Sequence, residues 1–269
     1  MPHYDIAIIM VSHNDLDPEC LRSIQREIDT TKQQVKLVVV DNASSDYRAN
    51  EFVHQYVKDA IIILRNGDFG FGSSCNSGAN EIEASYYFFL NPDTVLIEPN
   101  TLDRLYNFSQ QYLKAGILGP KILYPDESLQ ETCRRFPIWL MPILQRTFLK
   151  NTRFGRVYAD KFLLHDYDHK DLQMVDWVQG SAMFIPGSLW KELSGFDKRF
   201  WMYFEDIDLC RRSWEKGRPV YYLPDIIIQH AYHKESAKEK TVIKNIFKNK
   251  MARAHIASWL KYLFKWGIK

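Results

Sequence analysis

Four cysteines in 269 residues, Cys20, Cys75, Cys133 and Cys210, are too few and too widely spaced for a disulfide framework or a C-x-x-C zinc site. A reducing compartment is the expectation. Charge of one sign is also missing, because 35 Lys and Arg stand against 33 Asp and Glu for a net charge of +2. That balance excludes a general nucleic-acid binder, and any basic partner surface must be local. No apolar run approaches the roughly 18 to 20 residues a spanning helix needs. The segment Ile6 to Val11 is too short for a secretory core, and Met1 to Asp5 carries no basic residues ahead of it. The expectation is a cytoplasmic protein, soluble or held at the inner face of the plasma membrane. Repeats and low-complexity segments are absent, while 46% hydrophobic residues supply a sizeable core.

What is present begins with alternation. Ile6 to Val11 and Lys36 to Val40 are β-branched runs ending in polar residues, and Leu16, Cys20, Ile24 and Ile28 between them have helical spacing. The unit repeats with Ala60 to Leu64, a helical stretch from about Ser74 to Glu83, and Tyr86 to Leu90. The first half therefore predicts strands alternating with helices and a mostly parallel sheet, whose carboxyl edge gathers the polar residues that follow each strand. Further on, Gly119-Pro120, Pro125-Asp126, Pro137 and Pro142 predict a loop-rich middle. Val175 to Pro186 reads as strand, Ser188 to Leu193 and Glu205 to Lys216 as helices, and Val220 to Leu223 and Ile226 to Gln229 as two short strands.

Several stretches could carry chemistry. Asn91-Pro92-Asp93-Thr94 places a carboxylate at the sheet edge, where a cation bridging it to a diphosphate would neutralise a leaving group; the same residues also suit an Asx-turn. Asp41-Asn42 follows the second strand and could hold a base or ribose, or cap a helix. Asn66 to Gly72 with Asn76-Ser77-Gly78 is glycine-rich before a helix, without being G-x-G-x-x-G or a P-loop. Glu205, Asp206 and Asp208 start a helix beneath an aromatic run. Asp208 suits an ion pair with Arg212, leaving Glu205 and Asp206 as general-base candidates. His230 and His233 follow the last strand as metal ligands or surface histidines.

Taken in order, Val11-Ser12-His13-Asn14, Val40 to Asp46, Gly70-Phe71-Gly72, Leu90 to Thr94, Cys133 to Pro137, Asp176 to Gly180, Gly195-Phe196-Asp197 and Phe204 to Arg212 resemble the family 2 glycosyltransferases, and within them the bacterial rhamnosyltransferase-like branch. The resemblance implies an α/β fold of the GT-A nucleotide-diphospho-sugar transferase type and an inverting, metal-dependent hexosyl transfer. It places Asp41 against the pyrimidine base, with Val11, Ser12 and His13 lining it. It makes Asn42, Asn66, Asp68, Gly70, Asn76, Asn91, Trp177 and Gly180 further donor-site candidates. Asp93 matches the metal aspartate of the family's D-x-D element, whose first acid is Asn91 here, and His230 is a further ligand for Mn2+ or Mg2+. Asp206 matches the catalytic base, with Glu205 beside it. The implied donor is a nucleotide sugar, dTDP-L-rhamnose in this branch. The implied acceptor is polyprenyl-diphosphate-linked or a growing O-antigen, capsule or cell-wall glycan. Transfer of GlcNAc, galactose or galactofuranose is the alternative within the family. Outside it stand a sugar-phosphate nucleotidyltransferase, which would open with a basic glycine-rich loop where this chain has Ser12-His13-Asn14-Asp15, and a non-catalytic nucleotide-sugar-binding module.

Composition shifts at the end. From Lys238 to Lys269 nine Lys and Arg face one acid, Glu239, and apolar residues from Ile243 to Trp266 recur at near-helical steps. The expected organisation is a transferase domain over 1–237 and a basic amphipathic helical tail over 238–269, suited to an anionic membrane surface.

Overall fold

The computed structural model describes residues 3–45, 49–141, 144, 147–231 and 249–267. The first half follows the alternation read from the sequence. β1 (His3–Ser12), α1 (Pro18–Thr30), β2 (Val35–Asn42), α2 (Ala49–Tyr56), β3 (Ile61–Arg65), α3 (Phe71–Asn80) and β4 (Glu83–Leu90) succeed one another, and β3, β2, β1 and β4 lie side by side in parallel. Asp17 caps α1 by accepting from the Glu19 N–H, and Pro18 opens the helix where no N–H is needed.

The second half adds β5 (Thr94–Val95), α4 (Thr101–Gln111), β6 (Ile117–Leu123), β7 (Leu129–Gln130), β8 (Cys133–Arg134), α5 (Arg153–Phe162), β9 (Gln173–Val175), β10 (Trp177–Val178), β11 (Ala182–Pro186), α6 (Gly187–Leu193), α7 (Glu205–Glu215), β12 (Val220–His230) and α8 (Lys250–Trp266). The main sheet runs β3-β2-β1-β4-β11-β6-β12-β5, with β7 on β6 and β9 on β12. β11 is antiparallel to both β4 and β6, so the sheet is mixed. Three features differ from the sequence expectation. The loop-rich middle contains β6 and the amphipathic helix α5. Val175 to Pro186 falls into three short strands, β9 and β11 in the main sheet and β10 paired with β8 in a second one. The two short strands at 220–229 are one strand, whose register shifts between Leu223 and Ile227, where Pro224 has no N–H to give the ladder.

Side chains alternate across the sheet. Ile6, Ile8 and Met10 pack with Leu21, Ile24 and Leu102 on one face, while Ala7 and Ile9 pack with Cys75, Phe89, Trp190 and Phe196 on the other. Four parallel strands thus end at one edge. β12 runs parallel to β6 and brings His230 to that same edge.

α8 is fastened to the domain. Ala252, Ser258 and Tyr262 are buried, the Ser258 hydroxyl donates to Met202 O, and Lys265 and Trp266 both reach Asp208. Residues 232–248, with His233 and the start of the expected tail, lie outside the described residues.

Candidate active site

The carboxyl ends of β1, β2 and β3 build the first group of polar side chains. Asn42 is buried and fully engaged: its Oδ1 accepts from the Phe69 N–H at 3.1 Å and the Ser74 hydroxyl at 2.9 Å, and its Nδ2 donates to Asp68 Oδ1 at 3.0 Å. His13 Nδ1 meets Asn42 O at 2.9 Å, and Asp41 accepts from the Ser44 N–H at 2.8 Å. Val11 and Ser12 lie level with Val40 and Asp41 on the neighbouring strand. Asp15, which the sequence reading used only to set aside another enzyme class, joins them. It accepts from the Ser12 hydroxyl and the His13 N–H, and burial pushes its carboxyl up against those two bonds, with Asp93 nearby adding to the rise.

The loop after β3 closes this group. Gly70 has φ +81°, and a Cβ there would sit 1.9 Å from Trp201 O, so only glycine fits. Burial opposes ionisation of Asp68, yet Lys250, the Gly70 amide and Asn42 together hold its carboxyl below the usual value. Lys250 comes from α8 and ion-pairs with Asp68 at 2.8 Å. Asn66 is exposed on the same loop. Asn76 does not join it. Its amide is taken at both ends by the backbone of Phe196, at 2.8 and 2.9 Å, so it braces the 195–196 turn instead of facing a nucleotide.

Asp93 and His230 form the second group. His230 Nε2 stands 3.1 Å from Asp93 Oδ1, the Ala231 N–H donates to Asp93 O, and Asn91 Nδ2 lies 3.4 Å from the same ring nitrogen. Gln130 Nε2 donates to His230 O at 2.6 Å, which turns Gln130 Oε1 toward His230 Nδ1 at 3.0 Å. Nδ1 therefore carries a hydrogen, and Nε2 is the ring nitrogen that faces the carboxylate. Their separation fits a cation or a proton between them, as it does in metal sites where an imidazole is oriented by a hydrogen bond to its other nitrogen. Among the described residues no cluster of three or more His, Cys, Asp or Glu is assembled for a metal. The protein offers a carboxylate and an imidazole, and further ligands would come from diphosphate oxygens and water.

The third group surrounds α7. Tyr203 and Phe204 both adopt left-handed backbone with φ 67°, an unfavourable pairing that turns the chain sharply and delivers Glu205 and Asp206 as the first helical residues. The two carboxyls differ. Glu205 is buried, its Oε2 has no hydrogen-bond partner, and burial reinforced by the Asp206 charge pushes its carboxyl well above the ordinary range. Asp206 keeps partial solvent contact and accepts from the Gly180 N–H at 3.1 Å and the Ile207 N–H at 2.8 Å. Burial raises its carboxyl too, while those amides and the Arg134 charge pull the other way. Of the pair, Asp206 is the one with solvent contact and with two backbone amides on its carboxyl.

A cleft of about 280 Å³ joins the second and third groups, with Asn91, Gly180 and Asp206 among its walls. Trp177 lines it as well, its indole N–H held by Arg135 O. Arg134, stacked over the Trp177 ring, and His255 of α8 complete it, and the sequence reading assigned neither a role. Arg134 lay inside a quoted motif, whereas His255 has no local signal.

A model of glycosyl transferase family 2 matches residues 7–169. The chain belongs to that family. It is 25% identical over 214 residues to N-acetylglucosaminyl-diphospho-decaprenol L-rhamnosyltransferase of Mycobacterium tuberculosis (strain ATCC 25618 / H37Rv), covering 74% of this chain and 67% of that one. It is 26% identical over 272 residues to rhamnosyltransferase WbbL of Escherichia coli (strain K12), covering 96% and 92%. Its fold matches the crystal structure of GalNAc-T7 with UDP, GalNAc and Mn2+ at a TM-score of 0.64 and 14% identity, over 86% of this chain and 43% of that one. The family 2 chain thus has the GT-A type of α/β fold that the order of its motifs implied.

Proposed function

We propose that this protein is an inverting rhamnosyltransferase that moves L-rhamnose from dTDP-L-rhamnose to a polyprenyl-diphosphate-linked or growing surface-glycan acceptor. The observation that carries the reading is the amide-held carboxylate of Asp206, which lines one cleft with Asn91, whose amide lies 3.4 Å from His230 of the Asp93–His230 pair. The rhamnosyltransferase relatives support the choice of sugar.

In one displacement the acceptor hydroxyl attacks the anomeric carbon, the bond from that carbon to the diphosphate oxygen breaks, and the configuration inverts. Asp206 takes the hydroxyl proton, and the amides of Gly180 and Ile207 hold its carboxylate in position. Burial and the Asp206 charge push the Glu205 carboxyl up, which disfavours a competing charge beside Asp206. Asp41, His13 and Ser12 line the nucleotide's base, and the loop of Asp68 and Gly70 closes over the ribose and phosphates. Asp93 and His230 would hold Mn2+ or Mg2+, which when bound supplies charge compensation for the departing diphosphate. The basic stretch 238–269 would keep the enzyme at an anionic leaflet, and no helix among the described residues is long and apolar enough to cross one.

Donor screening tests the reading. Purified enzyme is offered pooled nucleotide sugars with lipid-diphosphate-GlcNAc acceptors, and product formation from dTDP-L-rhamnose alone is expected. Transfer from UDP-GlcNAc or a UDP-galactose instead would keep the family and replace the sugar.

A further inference from the structure

α5 is the least explained helix of the fold. Gly155 and Phe162 are buried on one side, and the Tyr158 hydroxyl on that side accepts from the Ile138 N–H at 3.0 Å. Toward solvent Phe154 is 61% exposed and Val157 47% exposed, one turn apart. Arg153, Arg156 and Lys161 are exposed around them, and Lys150 stands just before the helix. The one acid on that face, Asp160, is tied to His165 at 2.8 Å. The loop bonded to Tyr158 lies beside the helix: Trp139 in it is 40% exposed, Leu140 is half-buried, and the adjoining Met141 is a wall of the catalytic cleft.

We propose that α5 and residues 138–140 form a second bilayer-contact surface, directed at anionic phospholipid and placed beside the cleft mouth. It is distinct from the C-terminal stretch and rests on the proposed function only for the lipid nature of the acceptor. Charge complementarity selects the occupant. Bases surrounding isolated apolar side chains match an anionic headgroup layer over hydrocarbon, with the arginine stems lying along the interface. The face is a single convex helix, not a groove built to take a partner's side chains. Its position fits the task, because a polyprenyl tail must remain in the membrane while its first sugars reach Asp206.

The test is vesicle flotation of the full-length enzyme without donor or acceptor, so that failure of the donor screen leaves its outcome intact. Vesicles of phosphatidylcholine with roughly one-third phosphatidylglycerol are compared with phosphatidylcholine alone. Phe154→Ser with Val157→Ser is expected to weaken partitioning about tenfold or more. Arg153→Gln with Arg156→Gln should weaken it about fivefold per charge on the anionic vesicles and hardly at all at high salt. Both variants alter exposed positions, so thermal melting and turnover of a short water-soluble acceptor should match wild type. Equal partitioning of variants and wild type would overturn the proposal and leave any membrane contact to the C-terminal stretch. A wild-type dimer that the Phe154/Val157 variant converts to monomer without change in vesicle binding would overturn it in favour of a protein interface.

Discussion

The indole N–H of Trp266 donates to Asp208 Oδ1 at 2.9 Å, which ties the last turn of the final helix to the helix that carries Asp206. Asp208 is fully buried and is also met by Arg212 at 2.8 Å and Lys265 at 2.7 Å. Asp208→Ala would leave Arg212 without its carboxylate and Lys265 with Asp197 alone, at 2.8 Å, in a mostly buried site, at a cost of about 3 to 5 kcal/mol. Trp266→Phe removes one hydrogen bond to a charged group and should cost about 2 kcal/mol. Urea midpoints measured at constant slope check both values. A midpoint unchanged in Asp208→Ala would mean that α8 is held elsewhere.

Asp206→Asn should lower kcat by about 100-fold or more with donor affinity retained, because the amide fills the same space and cannot take a proton. Glu205→Gln should be far milder, since Gln resembles the neutral acid already present. Steady-state kinetics on the two variants decide, and the reverse order would move the base to Glu205.

Glu205→Gln should also change the pH dependence of stability. The folded carboxyl is raised well above the ordinary glutamate range by burial and by the Asp206 charge. Stability from that group is therefore complete below the unfolded value and lost as pH rises toward the folded one. Gln has no such loss, so the variant's Tm should gain on wild type as pH increases from 5 to 8. Parallel Tm curves would show that Glu205 ionises freely in the fold.

As the proposed base, Asp206 must be ionised for transfer, and burial raises its carboxyl while Arg134 opposes the rise. The acid limb of the kcat profile should then lie above the ordinary aspartate range, and Arg134→Gln should move it to still higher pH. A limb that shifts downward in this variant would contradict the electrostatic role.

Activity should require a divalent cation and disappear in excess chelator. His230→Ala should weaken Mn2+ dependence and nucleotide binding together, whereas Asp93→Ala should nearly abolish transfer. Titrating Mn2+ against nucleotide binding measures the coupling, and identical curves for wild type and both variants would place the metal elsewhere.

The first half was legible because each β-branched run ended in a polar residue, and parallel strands put those residues on one edge. Asp41, Asn42, His13 and Asp68 come together in that way. β11 was not legible as the strand between β4 and β6, because a short apolar run carries no record of its neighbours. Asn76 was misread for a related reason: a glycine-rich helix start draws attention to ligands, while its amide serves a turn 120 residues away. The near-helical spacing of the C-terminal stretch was read, but not its docking, since Tyr262 and Trp266 find partners on α7 that only the fold brings near.

The late position of β11 has a consequence for synthesis. Until residues 182–186 leave the ribosome, the side of β4 that β11 covers has no partner, although β1 already pairs the other side. About ninety residues separate Leu90 from Ala182, so at 5 to 20 residues per second that edge, rich in Tyr and Phe, stays open for roughly 5 to 20 seconds. The nascent chain is then most vulnerable to edge-to-edge association and to chaperone capture, and it stops being so when one five-residue strand arrives.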